Sequence, residues 1–209
     1  MYKVITIERE YGSGAGEIAG ELAQKLGWKL WDHELTKEIA KLAQVDCSVV
    51  ERCDEHVDST FHRLAKVFWR GSYQRSMPLE GLGAFDADAM VSLVRQVIEN
   101  AANSGNCVIV GRGAPYFLRE RPDVFQVFCY APYAEKFRRL QKQGMNKNEA
   151  EELLGSVDHD RVAFVKHYFD ADWPTPALYH VMVNTAMGNE NVISIILDTM
   201  RLLEAKPRS

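Results

Sequence analysis

The sequence predicts an α/β fold in which a parallel sheet of five strands is covered by helices on both faces. Short apolar runs typical of buried strands alternate with longer segments of helical periodicity, and this alternation favours a parallel sheet. The first apolar run leads directly into a glycine-rich loop, and a helical segment follows at once. With 209 residues, 46% of them hydrophobic, the chain can bury a large core as one domain over residues 1–209.

The strands are predicted from apolar runs bounded by turn residues. They cover residues 3–7, 28–31, 107–110, 124–130 and 179–183. Helices are predicted where apolar residues recur at spacings of three and four. They cover residues 16–26, 34–44, 48–70, 86–103 and 189–204. Two more helices are predicted between these, of which the first is opened by Pro132 and the second runs toward Tyr168. Residues 71–85 are expected to form a loop, and residues 34–106 a helical excursion that covers the substrate at one edge of the sheet.

A loop of three glycines joins the first strand to the first helix. It consists of Gly12, Ser13, Gly14, Ala15 and Gly16. Glycines let the backbone approach a phosphate closely, and the amides at a helix N-terminus attract an anion. The loop is therefore predicted to bind phosphate.

The first pattern that this loop partly matches is the P-loop, GxxxxGK[ST]. Gly16 would be its last glycine, but Tyr11 replaces its first. Glu17 stands where the phosphate-binding lysine is expected, and Ile18 where a hydroxyl would bind magnesium. One of the four key positions therefore matches.

The second pattern is the dinucleotide fingerprint GxGxxG/A. Gly14, Gly16 and Ala19 satisfy it. Glu34 lies 20 residues beyond Gly14, near where a ribose-binding acid is expected. By motif matches alone this interpretation scores better than the P-loop, and a tight turn without a ligand is the third alternative.

Composition bears on partners and compartment. The formal net charge of −4 argues against a nucleic-acid-binding protein, because affinity for the phosphate backbone comes from accumulated Lys and Arg. The four cysteines lie far apart, which favours a reducing cytoplasm. No apolar run approaches the roughly 20 residues of a membrane span, and the chain begins at once with a core-type strand. We expect a cytoplasmic protein that neither enters a membrane nor is exported.

Two clusters in and beside the predicted helix 48–70 have alternative interpretations. One contains Cys53, His56, Asp58 and His62. Its spacing matches no standard zinc pattern, so a solvated helix face is favoured and no metal site is predicted. The other contains Phe61, Phe68, Trp69 and Tyr73. Core packing is its default interpretation, and a cover for a nucleoside base or a homodimer surface are the alternatives.

The run from Ile5 to Lys25, centred on Glu10-Tyr11-Gly12-Ser13-Gly14, resembles the cytidylate kinase-like family of P-loop nucleotide kinases. Further landmarks of that family follow in the right order. They are Asp32 after the second strand, Gly111-Arg112-Gly113 after the third, Asp160-Arg161 with Lys166 in a lid-like segment at 144–172, and Asn184-Thr185 after the last. The resemblance covers nearly all 209 residues and reverses the ranking of the two patterns.

The resemblance implies a P-loop NTPase-type sheet with a helical monophosphate-binding excursion and a lid, transferring phosphoryl from ATP with Mg²⁺ to CMP or dCMP. The glycine loop from Gly12 to Gly16 would cradle the donor phosphates. Arg112 would meet the acceptor phosphate or base, and Asp32 would face the acceptor nucleoside. Arg161 and Lys166 would close over the transferring group, so that Arg112, Arg161 and Lys166 form the catalytic set.

Glu17 is the main departure from that family's pattern. A like charge about 4 Å from a phosphate costs on the order of 4 kcal/mol at an effective dielectric of 20. Glu17 is therefore expected to turn back toward its own helix end or to pair with Arg9. Two alternatives to a working kinase remain open, a nucleotide- or phosphate-sensing pseudokinase and a dinucleotide-binding oxidoreductase.

Overall fold

The computed structural model describes residues 1–42 and 87–205. Within these ranges the strands are β1 (Val4–Arg9), β2 (Lys29–Trp31), β3 (Cys107–Val110), β4 (Val124–Tyr130) and β5 (Val181–Asn184). They form a five-stranded sheet in the order β2-β3-β1-β4-β5. All of the pairings between neighbouring strands are parallel. The predicted α/β fold with a parallel five-stranded sheet is confirmed.

The central strand β1 sets the position of the functional site. Its Ile7 lies beside Val110 of β3 and Val127 of β4. Because the strands are parallel, the segments that follow them meet at one edge, called the carboxyl edge below. Ligands of open α/β sheets bind at this edge, where the winding of the sheet changes direction. The neighbours of β1 are β3 and β4. In the 3-2-1-4-5-6 order of classical dinucleotide-binding sheets the first strand instead lies beside the second, so the two orders differ.

Seven helices flank the sheet within the described ranges. They are α1 (Ala15–Leu26), α2 (His33–Leu42), α3 (Ala87–Ser104), α4 (Ala114–Phe117), α5 (Tyr133–Lys142), α6 (Lys147–Phe169) and α7 (Asn189–Ala205). Short 3-10 turns cover Pro176–Leu178 and Thr185–Met187. None of the helices described is long and apolar enough to cross a membrane.

The two faces of the sheet carry separate hydrophobic cores. On one face Ile5 and Ile7 pack with the apolar sides of α1 and α7, including Leu22 and Ile196. On the other face Val4 and residues of β3 pack against α2, α3, α4 and α6. Fully burying one such aliphatic side chain contributes about 1.5–3 kcal/mol. These two cores fix the sheet and so hold the carboxyl edge rigidly.

Several element boundaries agree with the sequence predictions. Strands β3 and β4 have the predicted bounds, whereas β5 begins at Val181 and ends at Asn184. Gly27 ends α1 in a left-handed conformation with φ 65°. The Asn146 side chain caps α6 by accepting a 2.9 Å hydrogen bond from the Glu149 amide.

Other predictions were incomplete or fall outside the described residues. The short helix α4 was not predicted, because a four-residue helix leaves no periodic apolar signal. Helix 48–70, loop 71–85 and the two clusters in and beside that helix lie outside the described residues. The excursion at 34–106 and the lid at 144–172 stay predictions.

Candidate functional site

The glycine loop lies at the carboxyl edge with its backbone arranged for a ligand. Gly12 and Gly14 have φ of 74° and 77°, a left-handed conformation that favours glycine. Gly14 is the N-cap of α1, where the structure shows no side-chain cap. Ile18 donates its amide to the Gly14 carbonyl at 3.4 Å, and the amides before it belong to the unpaired first turn of the helix.

Ser13 adds an unsatisfied hydroxyl to the loop. The residue is 1% exposed, and its Oγ has no hydrogen-bond partner within the described part of the chain. A buried hydroxyl without a partner costs free energy. The loop therefore offers helix amides that could donate hydrogen bonds to a phosphate, and a hydroxyl group that could bind a phosphate or its cation.

Helix α5 packs directly on the loop. A Cβ built on Gly12 would lie 3.1 Å from Lys136 Cβ, and one built on Gly14 would lie 3.0 Å from Arg139 Nη1. Lys136 also pairs with Glu10 at 2.9 Å. The glycines are thus required both by their backbone angles and by the close approach of α5.

Arg139 joins the loop to the end of β5. Its Nη1 donates to the Ser13 carbonyl and to Thr185 Oγ1 at 2.8 Å. Its Nη2 donates to the Thr185 carbonyl at 2.9 Å, and Nε lies 2.9 Å from Glu135. The buried Thr185 hydroxyl itself donates to the Ser13 carbonyl at 2.6 Å. Two side chains therefore hold one carbonyl of the loop.

Helix α6 holds the other end of the loop. The Tyr11 amide donates to the Asp158 carboxylate at 2.9 Å. Arg161 donates to the Arg9 carbonyl at 2.7 Å and pairs with Asp158 at 2.7 Å. Arg161 is only 4% exposed. The structure thus places this predicted catalytic arginine against the backbone that leads into the loop.

Arg112 lies next to this cluster in a strained backbone conformation. Its φ is 60°, between Gly111 and Gly113 at 65° and 72°, and such a conformation costs a non-glycine residue on the order of 1 kcal/mol. Arg112 is 6% exposed, and Nη2 donates to Thr36 Oγ1 at 3.1 Å. Backbone strain of this kind is concentrated at functional sites.

The charge of Arg112 is poorly compensated. Burial, followed by the positive charge of Arg9, lowers the pKa of Arg112 to about 10, whereas Asp32 acts to raise it. Nε and Nη1 of Arg112 have no hydrogen-bond partner among the described residues. A buried guanidinium with unused donors is a site at which an anion or a hydrogen-bond acceptor would be stabilised.

Asp32 is the complementary group on the neighbouring strand. It follows β2, is 6% exposed, and its Oδ1 has no hydrogen-bond partner among the described residues. It influences the pKa of Arg112 but forms no ion pair with it within 4.0 Å. A buried carboxyl group and a buried guanidinium thus face the same region while each keeps unused hydrogen-bonding capacity.

Two predicted features have different surroundings. Lys166 forms an exposed pair with Asp170 at 2.8 Å, whereas Arg161 is buried against the loop. The catalytic role of Lys166 stays a prediction.

Glu17 is exposed in the first turn of α1. Its expected pairing with Arg9 is absent among the described residues, because buried Arg9 pairs with Glu8 at 3.5 Å.

Sequence reasoning assigned no supporting role to the residues that hold the loop from a distance. These are Glu10, Lys136, Arg139, Asp158 and Thr185. The available signal was the spacing of Lys136 and Arg139, which lie on one helix face directly after β4. Among the described residues, no group of three or more His, Cys, Asp or Glu side chains could hold a metal ion.

Comparisons with known proteins agree with this geometry. Residues 4–187 match the cytidylate kinase-like family. A cytidylate kinase from Methanosarcina mazei is 22% identical over 144 residues, which are 65% of this chain and 80% of that protein. An uncharacterized protein from Eubacterium ventriosum has a TM-score of 0.67 and 17% identity, with 98% of this chain and 99% of that one covered. A shikimate kinase from Acinetobacter baumannii, in complex with shikimate, has a TM-score of 0.55 and 15% identity, with 99% and 97% covered.

Proposed function

Because this chain belongs to the cytidylate kinase-like family, we propose that it transfers the γ-phosphoryl group of ATP to a nucleoside monophosphate, with CMP or dCMP as the acceptor. The fold is that of the P-loop kinases. The observation that carries the proposal concerns Asp32 and Arg112, which are both buried close to Arg9 and Arg161. Each has hydrogen-bonding atoms that no described residue uses.

The donor would bind at the glycine loop. The unpaired first-turn amides of α1 favour a phosphate oxygen, since they donate hydrogen bonds and lie at the positive end of the helix dipole. Ser13 Oγ is a buried oxygen without a partner in residues 1–42 and 87–205, and it suits the Mg²⁺ accompanying ATP, most of whose ligands would be phosphate oxygens and water. Ile18 is buried and apolar, so the position after Glu17 offers no such ligand.

The acceptor would bind between Asp32 and Arg112. The Asp32 carboxylate accepts hydrogen bonds and the Arg112 guanidinium donates them. Cytosine presents an amino donor beside ring acceptors, so its edge complements this pair. Uracil presents a carbonyl oxygen where cytosine has the amino group, and that oxygen would face the Asp32 carboxylate. This argument selects CMP or dCMP over UMP.

The transfer itself needs positive charge around the moving group. Phosphoryl transfer proceeds mainly by positioning and electrostatic stabilisation. Arg9 and Arg161 both lie close enough to lower the pKa of Arg112, so three buried arginines surround this part of the site. Arg9 and Arg161 would favour the charge of the acceptor phosphate and of the group in transfer, whereas Arg112 would contact the base.

A phosphate- or nucleotide-sensing protein without turnover is the second candidate. Glu17 favours it, because an exposed carboxylate stands in the first turn where a lysine would contact the phosphates. Such a protein would use the same loop to bind ATP but would release no ADP.

One assay separates these candidates. ADP release is measured with ATP, Mg²⁺ and a panel of CMP, dCMP, UMP, AMP and GMP, and ATP binding is measured by calorimetry. We expect kcat/KM for CMP or dCMP to exceed that for UMP by at least about 10-fold. Equal rates with UMP would refute the acceptor assignment, ATP binding without ADP release would favour the sensor, and absence of ATP binding would refute both.

Variants locate the acceptor within the site. Arg112→Ala is expected to raise the KM for CMP by about 100-fold, since a charged hydrogen-bonded pair is lost. Arg119→Ala is the matched control, because Arg119 is exposed and its one ion pair with a described residue is to Glu120 at 3.4 Å. Unchanged acceptor affinity and turnover in Arg112→Ala would contradict the assignment.

A further inference from the structure

We propose that Arg139 and Thr185 are positioning residues that hold the Ser13–Gly14 peptide in its phosphate-binding orientation and thereby compensate in part for the missing loop lysine. The proposal rests on the proposed function, since it concerns the same donor site. It assigns a role to two residues on α5 and after β5 that lie far from the loop in sequence.

The geometry begins at a single carbonyl oxygen. The Ser13 carbonyl accepts from Arg139 Nη1 and from Thr185 Oγ1 at 2.6 Å. A trans peptide directs its N–H opposite to its C=O. Fixing the Ser13 carbonyl toward α5 and Thr185 therefore directs the Gly14 amide away from them.

Further contacts hold the side chains of Arg139 and Thr185 in place. Glu135 holds the Arg139 guanidinium at 2.9 Å. The Thr185 hydroxyl accepts from Arg139 at 2.8 Å. Its hydrogen has two acceptors in reach, and the Ser13 carbonyl at 2.6 Å is closer than the Tyr130 carbonyl at 3.2 Å. Thr185 is fully buried and Arg139 is 19% exposed in its side chain. Thus the peptide has a preorganised support that does not have to form when phosphate binds.

The support also carries charge. A guanidinium bonded to a carbonyl polarises the peptide and strengthens the N–H on its other side. The positive charge of Arg139 thus reaches a bound anion through the peptide rather than by direct contact. Arg139 and Lys136 each pair with a glutamate, Glu135 and Glu10 respectively. Among the described residues, however, Lys136 has no bond to a loop carbonyl, so it does not act in this way.

The test measures binding of three probes in the presence of Mg²⁺: inorganic tripolyphosphate, ATP and adenosine. Arg139→Gln is expected to weaken tripolyphosphate and ATP by a similar factor of about 10 to 100, and to leave adenosine unchanged. In turnover, the KM for ATP should rise while the KM for the acceptor monophosphate stays constant. A general structural defect would change both KM values.

Matched variants make the result specific. Lys142→Gln is the control on the same helix, because Lys142 is exposed and has no ion pair with the residues that the structure describes. It should change tripolyphosphate affinity less than about 2-fold. Thr185→Val removes one of the two bonds to the Ser13 carbonyl and should weaken tripolyphosphate by about 5-fold, whereas Thr185→Ser should retain wild-type affinity. The effects of Arg139→Gln and Thr185→Val should be less than additive, since both act on one peptide.

The outcomes separate two failures. If the wild-type protein binds no tripolyphosphate or ATP, the proposed function is refuted and this inference with it. If the wild-type protein binds both and Arg139→Gln loses nothing, only the positioning role is refuted. Loss of adenosine binding with tripolyphosphate unchanged would likewise overturn it, because Arg139 would then hold the base. If Arg139→Gln fails to fold, the tripolyphosphate affinities of Thr185→Val and Thr185→Ser are compared instead, and equal affinities would refute the positioning role.

Discussion

Replacing Arg112 by glycine should stabilise the protein while abolishing acceptor binding. Burial lowers the pKa of Arg112 to about 10, against an ordinary arginine value of about 12.5. At 1.36 kcal/mol for each pKa unit, this corresponds to a penalty of about 3 kcal/mol on the charged side chain. Because the folded pKa lies below the unfolded one, the penalty is fully present at pH 7 and is lost only as the pH rises through 10.

The other contributions to this variant are smaller. Glycine relieves left-handed strain of about 1 kcal/mol at φ 60°. The lost hydrogen bond to Thr36 costs about 1.5 kcal/mol, and the greater freedom of glycine in the unfolded chain costs about 1 kcal/mol. The net gain is about 1–2 kcal/mol, or a rise in Tm of about 3–6 °C for a chain of this size.

Urea denaturation of Arg112→Gly, Arg112→Ala and Thr36→Val tests this reasoning. The alanine variant loses the same charge. It keeps the left-handed strain of about 1 kcal/mol but avoids the similar cost of glycine in the unfolded chain, so its stability should equal that of the glycine variant within about 0.5 kcal/mol. Thr36→Val should only destabilise, since it removes a partner of Arg112. A lower unfolding free energy in both Arg112 variants would show that Arg112 is a structural residue and would refute its assignment to the acceptor site.

Gly14→Ala is expected to lower the unfolding free energy by about 1–2 kcal/mol, because of φ 77° and the contact with Arg139, and to weaken tripolyphosphate binding. Gly20→Ala in α1, where a Cβ meets nothing within 4 Å, should instead stabilise by about 0.5–1 kcal/mol, and equal denaturation midpoints for the two variants would contradict this. Burial lowers the pKa of His180, so the unfolded chain binds the proton more readily, and Tm should fall as the pH drops below about 6.5. In thermal melts between about pH 8 and 5, His180→Asn should show a weaker dependence of Tm on pH than the wild type. An equal dependence in both proteins would exclude His180 as the cause. Lys166 lies in an exposed ion pair, so Lys166→Ala should leave the denaturation midpoint unchanged. A fall in kcat would then report the catalytic role predicted for Lys166, and unchanged kcat would exclude that role.

Local signals in the sequence were sufficient for much of the fold. Strand, glycine loop and first helix are consecutive in the chain, so periodicity and glycine placement predicted them together. The resemblance to the kinase family identified Asp32 and Arg112, and both follow strands of a parallel sheet, whose ends meet at one edge. The supports of the loop were not predictable in this way. Arg139 lies 126 residues from Ser13, Asp158 lies 147 from Tyr11 and Thr185 lies 172 from Ser13. Such contacts depend on how α5 and α6 pack over the loop, which no short motif encodes.

The ion pairs of the buried arginines show which of them support the backbone of the site and which one is available to a ligand. Of the three buried arginines in residues 1–42 and 87–205, Arg9 pairs with Glu8 and Arg161 with Asp158. Arg112 has no carboxylate within ion-pair distance in those ranges, and it is also the one with left-handed backbone strain. A paired arginine has already compensated its desolvation and can hold the backbone in place, whereas an unpaired one gains most when a ligand arrives. The free energy for binding the acceptor is therefore expected to come mainly from Arg112, with Arg9 and Arg161 contributing to the field around it.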